Sequence, residues 1–181
     1  MDEQQEIQRF HSTHNEPFWT SLGKLLRVDT IVSPRLPCQF VSPGDQPKKN
    51  EQETKDYNMI VEIIMNKNDR DRVINSLNLF LDRAPKNPND LVNYVKTKLS
   101  YYFKEIKSYG FNHIIILTES CCDGIVFLDC YGRIFELDCI YDELHLYGNY
   151  FERIEIAKKN GKYLETWIVE DDGTVVDISD E

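Results

Sequence analysis

GFNHIIILTESCCDGIVFLDCYGRIFELD, residues 110–138, is the stretch in which the hydrophobic period of this chain changes, and its reading decides the fold. Ahead of it, Leu91, Val92, Val95, Leu99, Tyr102, Phe103 and Ile106 recur at helical spacing, with Asn89 or Asp90 placed to cap the start. Gly110 is the left-handed residue that ends such a helix. Beyond Gly110 the pattern alternates and turn residues return about every 8–12 positions, the signature of an antiparallel meander. The predicted strands are Asn112–Thr118, Gly124–Asp129, Arg133–Asp138, Tyr150–Ala157, Tyr163–Glu170 and Thr174–Ile178. Turns fall at Asp123-Gly124, Tyr131-Gly132, Asn160-Gly161 and Asp172-Gly173.

Two-residue turns fix a register. Around Tyr131-Gly132 they set Leu128 opposite Phe135 and Val126 opposite Leu137. Around Asp172-Gly173 they set Val176 opposite Val169 and Ile178 opposite Trp167; around Asn160-Gly161, Trp167 opposite Ile154. One apolar row, Ile154–Trp167–Ile178, then crosses three strands and faces a core.

Working back toward the N-terminus, Tyr57–Met65 reads as a buried β-branched strand. Asp69 or Asp71 caps a short helix carrying Val73, Ile74, Leu77 and Leu81, which stops at Pro85. Residues 33–56 hold Pro34, Pro37, Pro43 and Pro47 and the charged run KKNEQETKD, and read as a linker, flexible over 44–56. Residues 1–14 form a polar tail. Asn15-Glu16-Pro17 opens a helix with Phe18, Trp19, Leu22, Leu25 and Leu26 on one face, ending near Arg27. The expectation is an N-terminal arm over 1–56 and an α+β domain over 57–181. In that domain a meandering antiparallel sheet carries two helices on one of its faces.

Composition bounds the function. Apolar residues make up 41% and aromatic residues 12% of the 181 positions, enough to bury a core. Lys and Arg total 21 against 31 Asp and Glu, a net charge of −10. Such a chain repels a phosphate backbone unless its cations cluster, and the densest group, Lys96, Lys98, Lys104 and Lys107, is interrupted by Glu105. Protein, rather than nucleic acid, is the expected partner. The polar start MDEQQEIQRF resembles no targeting signal, and the apolar stretch Met59–Met65 is too short for a membrane and broken by Glu62. The setting expected is cytoplasm or nucleus, with the five cysteines reduced.

No catalytic signature stands out: phosphate-binding glycine loop, nucleophile elbow, HExxH and EF-hand loop are all missing. Cys121, Cys122, Cys130 and Cys139 lie close together, with His113 and His145 nearby, yet no CxxC spacing aims two thiolates at one point. No metal or cofactor is expected. An enzyme or metal site assembled from the Cys, His and Asp residues of the meander is the alternative reading.

The sharpest local signal is VVDISDE, residues 175–181. It resembles a SUMO-interacting motif, a short strand added to the partner's sheet edge. That resemblance makes Val175, Val176 and Ile178 the apolar anchors and Asp177, Ser179, Asp180 and Glu181 the electrostatic part, with SUMO as the implied partner. The register above instead makes Val176 and Ile178 core residues, and both readings stand. Phe18 and Trp19, on the amphipathic N-terminal segment, either bind a partner or pack on the domain as a lid. The stretch GIVFLDCYGRIFELD followed by LYGNYFERI is similar to the SUKH (SMI1/KNR4-like) superfamily, which includes toxin-immunity proteins and viral proteins that engage host factors. The resemblance implies a binding role, and a helix where the strand Tyr150–Ala157 is predicted. Ser120-Cys121-Cys122-Asp123 replaces that family's glycine cluster. Together these readings predict a non-enzymatic interaction or regulatory protein, with an acidic surface that binds or neutralises another protein.

Overall fold

Residues 18–28, 47–49, 59–79, 87–120, 123–160 and 166–177 are described by a computed structural model of the chain. The polar tail, the helix start at Asn15–Pro17, most of the linker, Cys121, Cys122 and residues 178–181 lie outside them.

The described residues form an eight-stranded sheet whose spatial order follows the chain. Its strands are β1 Leu25–Arg27, β2 Ile60–Ile64, β3 His113–Ser120, β4 Gly124–Asp129, β5 Arg133–Asp138, β6 Glu143–Asn149, β7 Trp167–Val169 and β8 Val175–Asp177. Every neighbouring pair is antiparallel except β2 and β3. A parallel neighbour cannot be reached through a tight turn. The helices α1 Lys67–Ser76, α2 Pro88–Tyr94 and α3 Ser100–Ser108 lie in that crossover, and a π-helical turn, Val95–Leu99, joins the last two. The α+β class is as the sequence predicts, and a fourth helix, α4 Tyr150–Asn160, follows β6.

Both faces of the sheet are covered, not one. Val61, Ile63, Ile114, Ile116, Ile125, Phe127, Phe135 and Leu137 meet Leu91, Val95, Leu99 and Ile106 of the long helical run. The alternate residues Ile64, Ile115, Leu117, Val126, Leu128 and Ile134 meet Val73 and Leu77 of α1, Tyr150 of α4, and Phe18 and Leu22. The reason is legible in HIIIL and GIVFL: a strand apolar at every position needs a cover on each side. Phe111, Phe127 and Phe135 pack edge-to-face and stacked at 5.1–5.8 Å between centroids. Each such ring contributes roughly 1.5–3 kcal/mol by burial.

Local chemistry explains the departures from expectation. Asn66, not Asp69 or Asp71, caps α1, its side chain accepting from the Asn68 and Asp69 amides. Asn87, with Pro88 behind it, opens α2 in place of Asn89 or Asp90. Gly110 ends the run at φ +90°, as predicted. The N-terminal segment is not one helix: a 3₁₀ turn, Phe18–Leu22, stops at Gly23, and Leu25 and Leu26 belong to β1. The predicted strand Tyr150–Ala157 is helical. The alternation of Ile154, Glu155 and Ile156 imitates a strand, but the buried positions Tyr150, Arg153 and Ala157 follow helical spacing.

The predicted register is off by one in both hairpins, for one physical reason. Phe127 pairs with Phe135 and Leu128 with Ile134, around a three-residue loop, Cys130-Tyr131-Gly132. Val169 pairs with Val175 and Ile168 with Val176, around Asp171-Asp172-Gly173. In each loop the glycine is third, at φ +83° or +87°, and its N–H bonds back to the carbonyl of Asp129 (3.2 Å) or Glu170 (2.9 Å). This is a type I turn closed by a left-handed residue, and the extra position slips the pairing by one. The row Ile154–Trp167–Ile178 therefore does not form: Ile154 is helical, Trp167 pairs with Asp177, and Ile178 lies outside the described residues.

Candidate functional site

Among the described residues β8 is the last strand of the sheet, and β7 is the strand it pairs with. Val175 and Val176 are 37% and 41% exposed, whereas Val169, the partner of Val175, is 2% exposed. Asp177 is exposed. The core role that the predicted register gave Val176 is thus not what the structure shows. Across the sheet Val176 continues a row through Ile168, His145, Glu136 and Val126, on the face that α1 and α4 cover farther along. Val175 lies on the opposite face. Ile178, Ser179, Asp180 and Glu181 lie outside the described residues.

The surroundings of β8 are acidic. Glu170, Asp171 and Asp172 are exposed in the adjoining turn. Asp172 Oδ1 accepts from the Thr174 amide at 2.8 Å. Hydrogen bonds from the Thr174 side chain and backbone hold this carboxyl below the usual range. Three linker residues, Pro47–Lys49, are packed here rather than loose. The Lys49 amide donates to the Asp171 carbonyl at 2.8 Å, and Lys48 lies against Gly173. Lys49 Nζ stands 2.6 Å from Glu105 Oε1 and 3.4 Å from Asp142 Oδ2. Burial alone would lower that ammonium, but the Glu105 hydrogen bond and the charges of Tyr109, Glu105 and Asp142 leave it raised.

Phe18 and Trp19 are placed differently from one another. Phe18 is 1% exposed, beneath Gly132 and 6.5 Å from the Tyr150 ring. Trp19 is half-buried and meets Phe18 edge-on at 5.4 Å. The segment packs in cis, as one of the two sequence readings has it.

The residues of the alternative reading are dispersed. His113 is 2% exposed, with Nε2 3.4 Å from Glu62 Oε2 in the β2–β3 pair. His145 Nε2 contacts Glu143 Oε2 at 3.1 Å. Ser120 and Tyr147 both donate to the Glu136 carboxylate, so the serine hydroxyl points to a carboxylate rather than to an imidazole. Among the described residues no group of three or more His, Cys, Asp or Glu could hold a metal ion. Cys139 is a free thiol, pushed up to about 11 by burial and then by Asp138, Asp142, Glu105 and Asp123. Cys130 is disulfide-bonded, which departs from the expectation that all five cysteines are reduced.

Sequence reasoning missed β6 and, with it, the Ser120–Glu136–Tyr147 network. The alternation of Leu144 and Leu146 in ELHLYGN was the available signal. Among the described residues no helix is long and apolar enough to cross a membrane. Comparison of the chain with protein-family models, with curated proteins and with solved structures finds no match.

Proposed function

We propose that this chain is a non-enzymatic binding protein that engages a partner protein by strand addition at the β8 edge. The observation that carries this reading is the exposure of Val175 and Val176 on a terminal strand flanked by Glu170, Asp171, Asp172 and Asp177. An open edge strand with apolar side chains is a hazard unless something covers it, and a partner's sheet edge is a natural cover. The acids select a partner whose edge is basic, and the resemblance of VVDISDE to a SUMO-interacting motif makes SUMO the candidate. The helix at Tyr150–Asn160 supports the SUKH-like reading, which asks for one there, and with it a role in neutralising or bridging another protein. The setting proposed is cytoplasm or nucleus; the Cys130 disulfide is the feature that favours an oxidising compartment instead.

The test is a titration of the isotopically labelled chain with SUMO, followed by NMR. Shifts confined to Val175, Val176, Asp177 and the strand beside them are expected, and Val176→Lys is expected to abolish them. Shifts elsewhere, or none at millimolar SUMO, would overturn the choice of partner and of edge.

A further inference from the structure

The meander brings three links, β3 to β4, β5 to β6 and β7 to β8, to the same end of the sheet. Contacts tie them together there. The Cys139 amide donates to the Asp123 carbonyl at 3.2 Å, joining the first two, and Lys49 bridges Asp142 of the second to the Asp171 carbonyl of the third. At the tip of the middle link stand Ile140 and Tyr141, 59% and 71% exposed. Asp138 Oδ1 accepts from both their amides, at 2.9 and 3.3 Å, so the two side chains are held outward on a closed turn.

Two exposed apolar residues side by side need an explanation when Arg133, Ile134, Phe135 and Leu137 of the β5 strand behind them are buried. Charge says what kind of partner covers them. Asp123, Asp138 and Asp142 surround the pair, with Glu143, Asp171 and Asp172 on the neighbouring strand and turn. Two described cations stand among these acids: Lys49 is bound by Glu105 and Asp142, and Lys48 lies against Gly173 beside Asp172, so the acids still outnumber them. Tyr101, 81% exposed, differs in having Lys98 and Lys104 three residues to either side on its helical run. A second copy of this chain would bring acids against acids, which the net charge of −10 also opposes.

We propose that the Ile140–Tyr141 turn is a docking surface for a Lys/Arg-rich segment of a partner protein that carries aliphatic side chains among its cations. The aliphatic groups cover Ile140 and Tyr141, and the cations meet Asp123, Asp138, Asp142 and Glu143 across the rim. This surface is distinct from the β8 edge: its apolar anchors stand on the β5–β6 link, and it needs no backbone pairing.

The probe is a fluorescent twelve-residue peptide of alternating Lys and Leu, titrated into the full chain and read by anisotropy. Two control peptides have Leu replaced by Ser or Lys replaced by Glu. The Lys–Leu peptide is expected to bind, and the double variant Ile140→Ser, Tyr141→Ser to weaken it by about tenfold, the scale of a small apolar anchor lost from an interface. Asp123→Asn with Glu143→Gln is expected to weaken it further at low salt than at high salt. Val176→Lys is expected to leave this binding unchanged, which separates the outcome from that of the strand-addition reading. Equal affinity for the Lys–Leu and Lys–Ser peptides, or full binding by the Ile140/Tyr141 double variant, would show only diffuse attraction and overturn the proposal. An unchanged circular dichroism spectrum and melting temperature of the variants establish that the surface, not the fold, was altered.

Discussion

The Asp129–Arg133 and Glu170–Thr174 turns are built alike and lead opposite lives. Each is a three-residue loop closed by a left-handed glycine, and in each an aspartate side chain accepts a backbone N–H. Around the first, Phe127 and Phe135 are 0% exposed and Asp129 is 1% exposed, its Oδ2 2.7 Å from Arg133 Nε. Around the second, Val175 and Val176 stand exposed, and Asp172 faces water. Turn chemistry therefore sets which residues pair, but the neighbouring layers decide what the pairing is worth. A hairpin between two covered strands contributes to the core; the same hairpin at the sheet's end is available to something else.

The contrast breaks first, and most sharply, at the two aspartates. Asp129→Asn strips a buried guanidinium of its carboxylate and is expected to destabilise by about 3–5 kcal/mol in urea unfolding. Asp172→Asn is expected to leave the melting temperature nearly unmoved, because the exposed asparagine oxygen can still accept from the Thr174 amide. Comparable losses at the two sites would mean that the second hairpin is as deeply embedded as the first.

Truncation after Asp172 tests the edge itself. Removing β8 uncovers part of Val169 and a few edge hydrogen bonds, so a loss of about 1–2 kcal/mol with cooperative unfolding retained is expected. Outright unfolding or aggregation would show that the end of the chain is core after all, as the row Ile154–Trp167–Ile178 required.

The smallest effect concerns Cys139. Its thiol is pushed from 9.0 up to about 11, so the folded chain keeps a proton that the unfolded chain releases first. Stability is therefore full below pH 9 and declines as pH rises from there toward about 11. At pH 8 the folded protein is expected to react with a thiol reagent more slowly than the urea-unfolded chain does. Equal rates would place Cys139 in ordinary solvent.

Much of this was legible in the residues. β4 and β5 stand at the predicted boundaries because Gly124 and Gly132 mark the turns ahead of them and Asp129 and Asp138 close their apolar stretches. What a Tyr-Gly or Asp-Gly pair does not disclose is whether the residue before it belongs to the strand or to the loop, and that one position displaced both registers. β6 escaped notice because ELHLYGN has no β-branched residue. Of the candidate site, the extended character of Val175–Asp177 was readable from composition. Its exposure was not, since that depends on β8 standing last among the described strands, a property of the whole sheet.

The parallel pair of β2 and β3 bears on the order in which the molecule assembles. Ile60 meets His113 across the entire helical crossover, while β3 to β6 are joined by links of a few residues. Closing the long loop loses more chain entropy before any contact rewards it, so the meander forms early and β1 with β2 docks late. Until that docking, the β2-facing edge of β3 offers Ile114, Ile115 and Ile116 to any passing strand. The interval between the two events, more than the finished fold, is when this chain is most exposed to misassembly.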